Sequence, residues 1–216
     1  MPAHSRLLSI NVGARDTLTV GQRDQESGIL KRPVAGRVRV GRGGLAEDII
    51  VNRKHHGGPD QALYLYSGED YAWWSAELDG EPAPGTFGEN LTLSSFVATE
   101  PRLGDRYQLG EVLLEVTAPR IPCATFAARM NDPQFPARFI EARRPGLYVR
   151  VLQTGDIQAG ETVAYQPTTE EHPTVNELFD LFYRQERDPD LVRRCLAAPV
   201  SERVRKKLEL WQRSAR

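Results

Sequence analysis

Three short segments of this chain carry residue types that can do chemistry. The first, RKHHGGPDQA at 53–62, brings Lys54, His55 and His56 together as cationic or proton-donating groups. Two glycines follow them, and glycine permits backbone angles that present bare N–H groups to an anion. The alternative is a tight structural loop. We disfavour a zinc site, because neighbouring residues of an extended segment point in opposite directions.

The other two segments are FGENLTL at 87–93 and TAPRIPCATF at 117–126. In the former, Asn90 and the preceding glutamate could fix neighbouring loops by hydrogen bonds. In the latter, two prolines stiffen a stretch that contains Arg120 and Cys123. A nearby positive charge favours the thiolate, which is the form that ligates soft metals. The residues alone leave open a buried, inert thiol, which is the role we predict for Cys195.

The elements that must position these segments are mostly short strands. Apolar or alternating patterns predict strands at 7–12, 36–41, 62–66, 90–93, 146–152 and 161–165, and a hairpin over 106–117 that turns near Gly110. Ser67 can cap a helix that continues to Leu78, and a short helix is predicted within 133–144. Gly155 and Gly160 are assigned to a connection. Many short strands separated by turns favour a closed or nearly closed β-barrel.

The composition changes after Tyr165, where QPTTEEHP resembles a linker. Three helices are predicted beyond it, opened by a Thr174–Glu177 capping box, by Asp188 with a proline in the first turn, and by Ser201. Such a module is too small to be stable alone, so we expect it to dock on the barrel. The predicted class is mainly β with helices, comprising a barrel domain at 1–167 and a three-helix module at 168–216.

Composition excludes several classes of protein. The net charge of −1 argues against a nucleic-acid binder, and no apolar run is long enough to predict a membrane-spanning helix. Two cysteines are too few for a disulfide framework, and the apolar N-terminal stretch is too short for a signal peptide, so a cytoplasmic protein is predicted. Residues 28–56 are nevertheless basic, which indicates a small anionic ligand rather than a long polyanion, although charge alone favours a solvated surface. The charges are Lys31, Arg32, Arg37, Arg39, Arg42, Arg53 and Lys54 against Glu47 and Asp48.

The three segments, in the order HHGGPDQA, FGENLT and PRIPC, resemble the MOSC family, named for the C-terminal domain of molybdenum-cofactor sulfurase. Within it they are similar to the stand-alone bacterial YiiM-type proteins, known as 6-N-hydroxylaminopurine resistance proteins. SGILKRPV at 27–34 and LEVTAPRIPC at 114–123 add to the likeness, which spans about 27–165. The helical tail resembles the three-helix module of these proteins. The resemblance implies a MOSC-type β-barrel.

The resemblance also implies a cofactor and a reaction. Cys123 would give its thiolate to the metal of a molybdenum cofactor, a molybdenum-pyranopterin that carries a phosphate. The implied contacts to this cofactor are Lys31, Lys54, His55, His56 and Arg120, with Asn90 shaping the pocket. The implied reaction reduces N-hydroxylated compounds such as 6-N-hydroxylaminopurine to the amine, and His55 or His56 could relay a proton. Because no flavin, haem or iron–sulfur signature is present, a separate reductase must deliver the electrons.

Two other functions remain open at this point. The same fold could hold the cofactor or pass sulfur as a non-catalytic carrier, with Cys123 as the attachment point. Alternatively, the basic cleft could bind a protein partner in a purely structural role. The apolar faces of the tail helices fit either a lid over the cavity or a homodimer contact.

Overall fold

A computed structural model of the chain describes residues 4–51, 57–78 and 80–214. The strands in these residues are β1 (His4–Gly13), β2 (Asp16–Val20), β3 (Arg23–Ser27), β4 (Lys31–Pro33), β5 (Arg37–Gly41), β6 (Gly44–Leu45), β7 (Leu63–Ser67), β8 (Leu91–Leu93), β9 (Arg106–Leu109), β10 (Val112–Ala118), β11 (Leu147–Gln153), β12 (Gly155–Gln158) and β13 (Thr162–Gln166). The helices are α1 (Gly68–Glu77), α2 (Ala124–Arg129), α3 (Phe135–Ala142), α4 (Val175–Leu181), α5 (Pro189–Ala197) and α6 (Glu202–Ser214). A 3-10 turn, Pro59–Gln61, lies just before β7.

The centre of the fold is a closed barrel. Seven strands follow the order β13-β9-β10-β11-β7-β8-β1, and β13 pairs with β1 to close the ring, where His4 is opposite Ala164. The pairs are antiparallel except β7 with β8, where Leu65 is opposite Leu91. Closure removes the unpaired edges that would otherwise expose N–H and C=O groups. The predicted β-barrel is therefore confirmed.

Alternation along the strands fills the barrel with aliphatic side chains. In β11, Leu147, Val149 and Val151 are buried while the residues between them are only partly covered. Apolar residues at every second position place one face of a strand against the core. This is the pattern from which these strands were predicted.

A second cluster, made of aromatic side chains, packs α1, α2 and α3 against the barrel. Trp74 of α1 lies with its ring centroid 5.1 Å from that of Phe135, and its indole N–H donates to Tyr66 Oη at 2.7 Å. Phe126 of α2 packs edge-on against Phe139 of α3, with 5.0 Å between the ring centroids. Large rings that interlock in this way immobilise the backbone around them. The cluster therefore fixes the segment that leads through Cys123 into α2.

Five strands and one helix depart from the sequence prediction. The hairpin β2–β3, the short strands β4 and β6 and helix α2 were not predicted, and Gly155–Gln158 is a strand paired with β5 rather than part of a connection. Most of the hairpin's side chains are exposed, and β3, RDQES, contains no apolar residue that would predict a strand. In β12 the only buried apolar side chain is Ile157. A single apolar residue gives no period-two signal, which is why the assignment of Gly155 was wrong.

The tail consists of α4, α5 and α6 and packs on the barrel. Leu178 and Leu208 are fully buried in the same core as the barrel residues. Cys195 lies there too, and burial raises the pKa of its thiol to about 12. The connection from β13 to α4 contains the domain boundary predicted at 167/168. Within the described part of the chain, no helix is long and apolar enough to span a membrane.

Replacing Thr174 by alanine is expected to lower the free energy of unfolding by about 1 kcal/mol. The Thr174 hydroxyl accepts from Glu177 N at 3.0 Å, and Thr174 N donates to Glu177 Oε2 at 2.7 Å, so both halves of the capping box are formed. Urea denaturation measures the change. Thr174→Ser keeps the cap and is the control. Equal losses in the two variants would contradict a role for the hydroxyl.

Candidate functional site

An open cleft brings together parts of the three segments singled out in the sequence. Its volume is about 800 Å3, a figure that includes the open mouth. Among the described residues, four residues of the predicted site line the cleft: Lys31, Asn90, Arg120 and Cys123. Lys54, His55 and His56 lie outside the described residues. Gly57 and Gln61, which follow them, also line the cleft.

Cys123 stands at the entry to α2. Its backbone is extended, and its carbonyl accepts hydrogen bonds from Phe126 N at 3.0 Å and Ala127 N at 3.1 Å, which begins the helix. The residue is partly exposed, in contrast to fully buried Cys195. A thiol that lines a cleft is accessible to a metal, whereas a thiol sealed in a core is not. The two cysteines therefore occupy different chemical environments.

Arg120 is a buried cation beside this thiol. It is 6% exposed, and its guanidinium carbon lies 4.2 Å from the Phe126 ring centroid and 5.1 Å from that of Tyr64. Burial alone would lower the pKa of Arg120. Electrostatic interactions with Tyr148, Tyr64, Cys123 and Glu89 outweigh burial and raise that pKa, so the guanidinium stays charged.

The Nε of Arg120 is buried and has no hydrogen-bond partner among the described residues. A buried N–H without an acceptor costs about 1–3 kcal/mol, and more when the group carries a charge. An anion bound in the cleft would recover this cost. The aromatic rings and the thiol in turn hold the charged group at the cleft wall.

Lys31 also lines the cleft, but its charge is engaged by Asp48. Its Nζ lies 2.5 Å from Oδ1 and 2.6 Å from Oδ2 of that carboxylate. Both side chains are more than nine-tenths buried. Burial lowers the pKa of Lys31, although Asp48 acts against this. In this geometry Lys31 contributes to the cleft wall as one half of the ion pair with Asp48.

Asp48 is a residue that sequence reasoning did not assign to the site. Besides Lys31 it accepts from Gly13 N at 2.8 Å and from Asn90 Nδ2 at 2.9 Å. The available signal was an acidic residue inside a strongly basic segment. A buried carboxylate needs several donors, and here they come from β1, β4 and the loop before β8. Asp48 therefore ties three parts of the cleft wall together.

Asn90 connects the wall to the barrel. Its Oδ1 accepts from Tyr64 N at 3.1 Å, and its own backbone N–H donates to Tyr64 O at 2.8 Å. Its Nδ2 makes the bond to Asp48 described above. One amide side chain thus links the start of β7 to the Lys31–Asp48 pair.

Glu89 fixes the loop before β8 through its side-chain carboxylate. Its Oε1 accepts from Tyr71 Oη at 2.6 Å, Gly85 N at 2.6 Å and Thr92 Oγ1 at 2.8 Å. Burial raises the pKa of this carboxyl group, which has no exposed surface. The loop can therefore hold its shape without help from solvent.

Gly88 leaves room beside the guanidinium. A Cβ there would lie 3.0 Å from Ile29 Cγ1 and 3.3 Å from Arg120 Nη1. The residue also adopts φ of 74°, which disfavours other amino acids. Glycine at this position keeps the wall of the cleft thin next to Arg120.

Comparison with known proteins gives a consistent picture. Residues 52–164 match the family model of the MOSC domain, and residues 173–213 match that of the YiiM-like, 3-alpha helix domain. The uncharacterized protein YflK of Bacillus subtilis is 32% identical over 154 residues, which are 71% of this chain and 70% of that protein. The crystal structure of YiiM from Geobacillus stearothermophilus has a TM-score of 0.77 at 26% identity, covering 96% of this chain and 99% of that chain.

A protein of Gibberella moniliformis named Reductase is 33% identical over 162 residues, which are 63% of this chain. The match spans only 29% of that longer protein. The MOSC model itself covers more than half of the present sequence. The chain therefore belongs to the MOSC domain family, which is associated with binding of the molybdenum cofactor, and it carries a YiiM-like helical domain after the barrel.

Proposed function

We propose that this chain is a molybdenum-cofactor-dependent reductase that converts N-hydroxylated compounds, such as 6-N-hydroxylaminopurine, to the corresponding amines. The observation that carries the proposal is the placement of a thiol and a buried guanidinium, Cys123 and Arg120, in one cleft. The relative named Reductase supports an oxidoreductase class.

The residues of the cleft fit a group that combines a soft metal with an anion. Cys123 supplies the sulfur donor that such metals prefer. The buried Nε of Arg120, without a partner among the described residues, supplies a charged donor for a phosphate. Gly88 keeps the space beside that guanidinium free of a side chain. The donor set therefore matches a molybdenum-pyranopterin phosphate.

The roles of the residues follow from this fit. Cys123 would hold the metal, and Arg120, with Lys54 and His55, would bind the phosphate. Lys31 would contribute from its ion pair with Asp48, and Asn90 would keep the wall in place. When bound, the cofactor supplies two-electron redox chemistry, which with two protons turns an N–OH group into an amine and water. His56 would provide a proton near the substrate, since histidine titrates near neutral pH.

Two partners follow from the proposed reaction. The small N-hydroxylated substrate enters the open cleft, and a separate reductase supplies electrons, since the sequence has no flavin, haem or iron–sulfur signature. We place the reaction in the cytoplasm, where thiols are kept reduced. A reduced Cys123 is required for its role as a ligand.

The test uses the full chain purified from two hosts, one that makes molybdenum cofactor and one that does not. Molybdenum and pterin are quantified per chain, and each preparation is then mixed with 6-N-hydroxylaminopurine and a chemical electron donor. We expect adenine to form only with the loaded protein. A loaded protein that reduces neither this compound nor other N-hydroxylated bases would overturn the proposal in favour of a carrier. Absence of molybdenum despite cofactor supply would favour the structural alternative.

A further inference from the structure

The 3-10 turn Pro59–Gln61 faces two parts of the molecule at once. Gln61 lines the cleft that contains Cys123, and it also lines a separate cavity formed with the start of α6. In that cavity Arg203 Nη1 donates to Gln61 Oε1 at 2.6 Å. The two residues are 142 positions apart in the sequence. The helical tail therefore touches a residue of the cleft wall directly.

Asp60 adds a second link between the turn and the tail. Its Oδ2 accepts from Glu202 N, at the first turn of α6, at 3.1 Å. Its Oδ1 lies 3.3 Å from Arg150 Nε in β11. Arg150 Nη2 in turn donates to Pro199 O at 2.9 Å, in the connection that leads into α6. One carboxylate thus joins the turn, the barrel and the tail.

The remaining contacts of the turn are made to the barrel and within the turn itself. None of its three residues is buried, and Gly58, the residue before it, provides no side-chain cap. Gly57 and Gly58 both have positive φ, so the backbone leading into the turn has wide conformational freedom. Thr117 Oγ1 donates to Asp60 O at 2.6 Å, which fixes the turn on its barrel side. A segment that buries so little apolar surface owes its position to such polar contacts.

We propose that the C-terminal helices act as a positioning element for the cofactor cleft, with Arg203 and Asp60 as the positioning residues that hold the Pro59–Gln61 turn. The residues that the proposed function assigns to the phosphate, Lys54 and His55, stand five and four positions before Pro59 in the sequence. Fixing the turn therefore fixes one end of the segment that carries them. The part of the proposal that concerns cofactor retention rests on the proposed function. The part that concerns the turn does not.

Hydrogen exchange on the full chain without cofactor tests the first part. The amides to follow are Gln61 N, which donates to Gly58 O at 3.0 Å, and Ala62 N, which donates to Val149 O at 2.9 Å. In Arg203→Ala we expect both to exchange about tenfold faster, because a hydrogen bond from a charged group is lost. Lys206→Ala removes the same charge from the same helix, but Lys206 pairs with Glu202 inside α6, so exchange should stay at the wild-type rate.

The second part is tested on chain loaded with molybdenum cofactor. Release of molybdenum and pterin into buffer should be about tenfold faster in Arg203→Ala than in Lys206→Ala, because one hydrogen bond from a charged group is lost. Asp60→Asn keeps an acceptor for Glu202 N but loses the ion pair to Arg150, and its release should also be faster. Unchanged exchange in Arg203→Ala and Asp60→Asn would overturn the proposal, as would faster exchange with unchanged release. A wild-type chain that never loads molybdenum would refute the proposed function, while exchange would still decide the role of the tail.

Discussion

Cys123→Ser is expected to lose molybdenum and, with it, reduction of N-hydroxylated substrates. A serine hydroxyl is a hard donor that stays protonated near neutral pH, so it replaces a thiolate poorly toward a soft metal. Mutation of residues that only support a metal ligand lowers the affinity for the metal by about 10–100-fold. Loss of the ligand itself should therefore lower metal occupancy on the order of 100-fold or more. Metal analysis of the purified chain and the rate of amine formation measure the two effects.

The matched control is Cys195→Ala. It removes the other thiol of the chain, but from a fully buried position in the core shared by the barrel and the tail. We expect it to reduce stability while leaving the molybdenum content per folded chain at the wild-type level. Equal molybdenum content in Cys123→Ser and in the wild type would rule out Cys123 as the ligand.

Lys31→Met is expected to destabilise the chain by about 3–5 kcal/mol, because it leaves the buried carboxylate of Asp48 without its cation. The remaining donors, Gly13 N and Asn90 Nδ2, are neutral and cannot balance the charge. The free energy of unfolding in urea measures the loss. The effect concerns the apo chain, so it does not depend on cofactor supply.

The double variant Lys31→Met/Asp48→Asn separates two roles of Lys31. It contains no buried charge at this place, and it should recover at least half of the stability lost in the single variant. Recovery of stability without recovery of cofactor binding would show that Lys31 also contacts the cofactor. If Lys31→Met leaves the free energy of unfolding unchanged, the ion pair does not stabilise the fold, contrary to what its burial indicates.

The elements with a strong local signal were predictable from the sequence. For α1, Ser67 was expected as the cap, and its hydroxyl accepts from Asp70 N at 3.0 Å. The Thr174–Glu177 capping box and the apolar alternation of β11 are similar cases, since each signal lies within a few residues. The hairpin β2–β3 was missed because one of its two strands, β3, contains no apolar residue and its side chains are mostly exposed.

The residue types of the candidate site were predictable from the sequence, but its hydrogen bonds and ion pairs were not. A thiol, an arginine and a glycine-rich loop can be recognised in the sequence. The order of the segments that contain them indicated the MOSC family. The partners of Asp48 and Asp60 come from distant strands and helices, and such contacts depend on the completed fold. Sequence reasoning could therefore name Lys31 as a cationic site residue without finding the carboxylate that holds it.

Closure of the barrel has a kinetic consequence. β1 completes its pairing only when β13 is present, and these strands lie at opposite ends of the barrel sequence. Contacts between residues far apart in sequence are slow to form, because the loop entropy must be lost before they are gained. Gly13, at the end of β1, is also a donor to Asp48 in the cleft wall. The barrel can therefore close only after the chain has been synthesised as far as β13.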